Sequence, residues 1–188
     1  MAASRARQAW SLDARASERE SASPDASHFS YDVTAVTVDD AWAVGRRYPS
    51  KRYSNAWIRH FDGKLWTQVR SPILTLSELR DVTAFGSDDV WAVGSFSARD
   101  GFGFGDVLVE HWDGGRWARV FAPRPGGFSE LHGIDAAGPD DMWGVGIGNG
   151  CLTEHWDGVR WRVVKDATPR DADFCDLFGV TVVSSDDV

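Results

Sequence analysis

From Tyr31 onward apolar and polar residues alternate in short runs, each closed by a turn signal, and no helical period competes with them. In the middle of the chain Asp81-Val82-Thr83-Ala84-Phe85 reads as a first strand. Gly86-Ser87-Asp88-Asp89 follows as a turn, because Ser and Asp side chains cap their own backbone there. Val90-Trp91-Ala92-Val93-Gly94 is a second strand, with Trp91 and Val93 on one face and small residues on the other. A longer loop leads to a third strand over Asp106 to Trp112. Asp113-Gly114 is then a hairpin signal into a fourth, Trp117-Ala118-Arg119-Val120.

This unit recurs. Trp42, Trp91 and Trp143 stand roughly 50 residues apart, each inside an Asp-Asp-x-Trp-(Ala/Gly)-Val-Gly run. A second marker travels with them: HFDGKLW from His60, HWDGGRW from His111 and HWDGVRW from His155. A third leads each unit, at Tyr31, Leu79, Leu131 and Leu177, and Pro-containing connectors (Pro72; Pro123 and Pro125; Pro169) end the first three. Strand-built periods of about 40–50 residues are those of propeller blades. The expected fold is all-β, a partial β-propeller of four-stranded antiparallel blades. Residues 31–78, 79–130 and 131–176 are three whole blades, and 177–188 begin the first hairpin of a fourth. Residues 1–30, rich in Ala, Ser, Arg and Glu, read as a mobile, disordered leader. Closure takes at least four blades, so the pattern predicts a piece of a longer propeller, or a chain that associates to close.

Composition sharpens this picture. Ten Trp and nineteen Gly among 188 residues suit short strands with aromatic anchors and tight turns. Trp42, Trp66, Trp91, Trp112, Trp117, Trp143, Trp156 and Trp161 are assigned to the core as repeat anchors. Ala43, Ala92 and Gly144 are assigned to the opposite faces, where a neighbouring blade can approach. Net charge is -8, and residues 1–30 are balanced, so all of it sits in the repeats. That argues against a nucleic-acid partner, which needs a basic face to displace counterions. No apolar run approaches the roughly 18–20 residues of a membrane span, and the start lacks the apolar segment of a signal peptide. No compartment is assigned, although an extracellular one is compatible with a longer parent. Cys151 and Cys175 either form one bridge or stand as two separate small residues.

The run DDVWAVG … HWDGxRW resembles the tectonin and kelch-like propeller repeats of the Trp-rich bacterial kind over residues 31–188. The Gly-Gly pair of kelch strands, the sialidase-type box and the WD40 signature are all lacking. The resemblance implies a propeller used for recognition, often of glycans in the tectonin group. It carries over no catalytic residue.

The paired Asp residues invite an acid–base or calcium reading, but they recur at every hairpin with no fixed third ligand, so they read as turn chemistry. His60, His111 and His155 occupy equivalent positions that successive blades hold apart, which suits hydrogen-bonded structural histidines better than a metal site. No catalytic residue, metal or cofactor is therefore expected. What varies between units is the loops on one rim: 46–55 is basic and aromatic, 95–106 is rich in Phe and Gly, 147–150 is short, and connector 165–176 is acidic. Candidate ligand contacts are Arg46, Tyr48, Arg52, Tyr53, Phe96, Phe102 and Phe104. The expected role is a non-catalytic scaffold for a protein or glycan partner. The alternatives are a module of a larger glycan-processing hydrolase or lyase, and a structural surface repeat without a defined ligand.

Overall fold

The computed structural model describes residues 27–50, 53–73, 76–97, 105–125, 127–164 and 175–185; the leader assigned to 1–26 lies outside them. The strands are β1 (Ser27–Thr37), β2 (Asp40–Ser50), β3 (Tyr53–Phe61) and β4 (Trp66–Val69). The second unit gives β5 (Ser77–Gly86), β6 (Asp89–Phe96), β7 (Asp106–Trp112) and β8 (Trp117–Val120). The third gives β9 (Glu130–Gly138), β10 (Asp141–Gly148), β11 (Gly150–Trp156) and β12 (Trp161–Val163). Each unit is one antiparallel four-stranded sheet in chain order. There is no helix among the described residues, hence none long and apolar enough to cross a membrane.

Two expectations shift. β1 begins at Ser27, because His28 and Phe29 pair with Arg47 and Arg46, so residues 27–30 belong to the first sheet and not to the leader. Loop 46–55 is mostly strand: Arg46 pairs with Ala56, Arg47 with Asn55, and Ser50 with Tyr53, carrying the β2–β3 hairpin outward. Residues 175–185 lie along the third sheet with an isolated bridge at Ser184, and the remainder of the fourth unit, 186–188, lies outside the described residues.

The lead strands β1, β5 and β9 pack successively on one another, and the sheets fan out from that shared inner edge. Two layers of core lie between them. Trp42, Val44 and Ile58 of the first sheet meet Leu79, Val82, Ala92, Leu108 and Trp117 of the second. Trp91, Val93 and Val109 of the second meet Leu131, Ile134, Met142, Leu152 and Trp161 of the third. Alternation along β6 explains the split: Trp91 and Val93 face forward while Ala92, fully buried, faces back and lets Trp42 reach Trp112 and Trp117, at 5.0 and 5.5 Å. Trp57, outside every repeat marker, is also buried.

The glycine that ends each Trp-Ala/Gly-Val-Gly run has a specific cause. Each lead strand carries a bulge opposite it, between Ser30 and Asp32, Leu79 and Asp81, and Leu131 and Gly133. There the carbonyls of Phe29, Glu78 and Glu130 press onto Gly45, Gly94 and Gly146, leaving no room for a Cβ. Gly94→Ala is therefore expected to cost about 3 kcal/mol, read as a lowered urea midpoint with an unchanged slope. A midpoint equal to the parent's would show that the strand can step aside.

Candidate functional site

The three bulges aim one extra residue each toward the same end of the shared inner edge: Tyr31, Arg80 and His132. Each meets an acid of the next unit. Tyr31 Oη donates to Glu78 Oε2 at 3.5 Å, and Arg80 Nε donates to Glu130 Oε1 at 2.6 Å. His132 Nδ1 lies 2.9 Å from Asp176 Oδ1, an ion-pair distance off the line of a hydrogen bond. Arg80 also reaches back to Glu78 at 2.6 Å, and His132 to Glu130 at 3.4 Å, so the rungs join into one polar ladder across the inner edge. Burial pushes the Glu78 carboxyl up. Burial acts on Glu130 in the same direction, but His132 and Arg80 outweigh it and hold that carboxyl below its usual range. The hydrogen bond to Glu130 raises His132.

Arg46 extends the ladder toward the rim. Its guanidinium lies 5.6, 5.7 and 5.0 Å from the Phe29, Tyr31 and Tyr48 ring centres and 3.0 Å from Glu78 Oε2. Beside it opens a cleft of about 270 Å³, to which Arg46 and Ser54 contribute from one predicted loop and Phe96, Ser97 and Gly105 from the other. Leu76, in its wall, takes the left-handed conformation (φ 50°), and its carbonyl accepts the Ser97 N–H at 2.8 Å. Strain of that kind in a non-glycine residue concentrates at functional sites. The structure thus brings Arg46, Tyr48 and Phe96 to one end of the molecule. Phe96 is a floor, not a free contact: it is buried in the core between the first two sheets, with the Arg119 guanidinium 4.1 Å from its ring. Tyr53 stays exposed on β3. Arg52, Phe102 and Phe104 lie outside the described residues.

One layer deeper, carboxylates join the units through backbone. Asp32 accepts the Val82 N–H at 3.2 Å, Asp81 the Ile134 N–H at 2.8 Å, and Asp135 the Val182 N–H at 2.8 Å. In the third unit glycine (Gly133) occupies the position of Asp32 and Asp81, and Asp135 makes the link two residues on. Burial, with the neighbouring Asp32, pushes the Asp81 carboxyl up to about 8. Sequence reading missed both this layer and the ladder. Their one signal was the invariant terminal Gly of the Trp motif, which marks the bulge.

The opposite end is scaffold. Asp40, Asp89 and Asp141 bond His60, His111 and His155 at 2.8, 2.8 and 2.7 Å, and each imidazole packs on its own unit's Trp42, Trp91 or Trp143 at 4.3, 4.2 and 4.5 Å. Asp62, Asp113 and Asp157 cap their Asp-Gly hairpins through two backbone N–H groups each. Those bonds hold the three carboxyls low. Cys151 and Cys175 are joined as a disulfide.

No protein-family model and no curated protein matches the chain. Among solved structures it is similar to YCF48 bound to D1 peptide, with a TM-score of 0.50 and 17% identity, covering 77% of this chain and 43% of that one. The fold is a partial β-propeller. The three sheets are its blades, the lead strands line its axis, and the Tyr31–Arg80–His132 ladder sits at one mouth of that axis. The chain spans less than half the length of that neighbour.

Proposed function

We propose that this segment is a non-catalytic recognition scaffold, built from tectonin- and kelch-like repeats, that holds a protein partner across the axial mouth. The ladder carries this reading. The same bulge recurs in every blade, while the side chain it aims outward changes from Tyr to Arg to His. A constant frame with varied chemistry at one mouth is how rigid scaffolds present binding groups. Arg46 and Arg80 are each about one-third exposed, whereas Glu78 and Glu130 lie beneath them, so a partner meets guanidinium and aromatic faces first. YCF48 is described with a bound peptide, which makes peptides the first probe. The non-catalytic reading draws on where the acids sit: Glu110 and Glu154 are fully buried between blades, and Glu78, in the cleft, is paired with Arg46 and Arg80.

Parallel peptide and glycan arrays test the proposal. Peptide binding is expected, weakened at least tenfold by Tyr48→Ala or Arg46→Ala and unchanged by Val159→Ser at the opposite end, where Val159 is exposed. A second reading, carbohydrate, has its own support in the serine-lined cleft, where Ser54, Ser95 and Ser97 surround the Arg46–Glu78 pair. Glycan binding abolished by Ser54→Val and Ser95→Val would replace the first. Equal losses in all variants, Val159→Ser included, would refute both.

A further inference from the structure

We propose that the cleft between blades 1 and 2 is a pocket for one carboxylate side chain of the bound protein, a Glu in preference to any neutral or basic residue. The inference rests on the reading of the mouth as a peptide site and names the residue type that the site selects.

Equivalent positions at the two interfaces between blades show what is particular to the first. The strand registers place Arg46, Ser54, Leu76 and Ser95 around the first cleft, where Ser95, Gly105, Phe128 and Ile147 stand at the second. At the second interface the Phe128 ring covers Gly105, on which an added Cβ would lie 3.0 Å from it. Ser129 N–H donates to the Gly105 carbonyl at 2.8 Å, and Pro125 crowds Gly148. Apolar side chains close that seam. At the first interface a guanidinium and hydroxyls line an open space of about 270 Å³ instead.

The hydrogen-bonding groups of that space decide what it takes. Glu78 is spent: Oε1 accepts from Arg80 Nη2 at 2.6 Å, and Oε2 from Arg46 Nη1 at 3.0 Å and Tyr31 Oη at 3.5 Å. Ser77 is spent as well, accepting the Ala56 N–H at 2.9 Å and donating to the Ile73 carbonyl at 3.2 Å. What remains is donors. Arg46 gives one nitrogen to Glu78, its Nε has no partner, and a guanidinium accepts nothing. The Ser54 and Ser95 hydroxyls have no partner among the described residues, although Ser95 is only 9% exposed. A guanidinium and a buried hydroxyl left open together call for a group with two acceptor oxygens, which is a carboxylate. Leu76 and Phe96 supply apolar walls for the methylenes that carry it. A space of about 270 Å³ admits one side chain and is small for an oligosaccharide. The Phe29, Tyr31 and Tyr48 rings already pack around the guanidinium, so little ordering is left for binding to complete.

Heptapeptide libraries with Glu, Gln, Lys or Ala fixed at the centre and uncharged residues elsewhere test this, each titrated with the whole chain by fluorescence anisotropy. The Glu library is expected to bind about tenfold tighter than the Ala and Lys libraries. That preference runs against the long-range field, since a chain of net charge -8 repels acidic peptides in general. Ser95→Val is expected to erase the preference, Ser95→Thr to keep it, and Val159→Ser, at the opposite end, to leave it unchanged. Ser54→Ala, on a less buried residue, gives the same reading should Ser95→Val lower the urea midpoint. Equal binding of all the libraries would overturn this proposal and leave the peptide reading standing. A Gln library bound as tightly as the Glu one would overturn it too, since the pocket would then select an amide. No binding by any library would refute the peptide reading and this inference with it.

Discussion

Trp42→Ala is expected to remove about 4 kcal/mol of stability, whereas Trp66→Ala, in the same chain and the same blade, is expected to remove less than about 1.5 kcal/mol. Trp42 is 1% exposed and wedged between its own His60 and the Trp112–Trp117 pair of blade 2. Truncation there forfeits the transfer of a large aromatic surface and leaves a cavity that two rigid sheets cannot collapse. Trp66 holds in blade 1 the place that Trp117 holds in blade 2, but among the described residues no sheet packs onto that side, and its ring partner is Phe61 at 5.4 Å. Urea unfolding of both variants measures the difference. Equal losses would mean that the anchors stabilise their own sheets and not the contacts between blades.

The second large effect is a dependence on pH. Glu154 is fully buried between blades 2 and 3, and burial pushes its carboxyl from 4.5 up to about 8. Its counterpart Glu110, at about 7, is spared part of that by the Ser71 hydroxyl, which donates to Oε1 at 2.7 Å. In blade 3 the connector places Ala122 where Ser71 stands, and both Glu154 oxygens lack a partner. A folded-state pKa above the unfolded one means that the native chain keeps a proton the unfolded chain gives up. The stabilisation is complete below about 4.5 and is lost progressively as pH rises through about 8. Glu154→Gln removes that titration. The variant is expected to match the parent near pH 4.5 and to exceed it by about 4 kcal/mol at pH 8. Parallel stability–pH curves for the two proteins would sink this account.

The repeat was legible because each of its signals is local. Asp113-Gly114 bends the chain by itself, Asp-Asp turns cap their own backbone, and two-residue alternation sorts Trp91 from Ala92 before any neighbour arrives; β7 and β8 lie where that pattern puts them. The histidines were legible for the same reason, since His111 and Asp89 are cross-strand neighbours within one hairpin pair. The candidate site was half legible. Arg46, Tyr48 and Phe96 were picked out by their unusual loops, but Phe96 faces a core that exists only once blade 1 packs against blade 2.

What the sequence by itself determined was the blade: its strand order, its turns, its Trp anchors and the small residues Ala43, Ala92 and Gly144 opposite them. What only the tertiary structure decided was everything between blades. Tyr31 finds Glu78 and Arg80 finds Glu130 because separate sheets meet at the inner edge, while residues 175–185, packed along the third sheet, bring Asp176 to His132 and Cys175 to Cys151. Such pairings join residues 24 to 50 positions apart whose partners share no local periodicity. They are fixed by the bulge that turns one side chain outward and by the angle at which rigid, close-packed sheets meet.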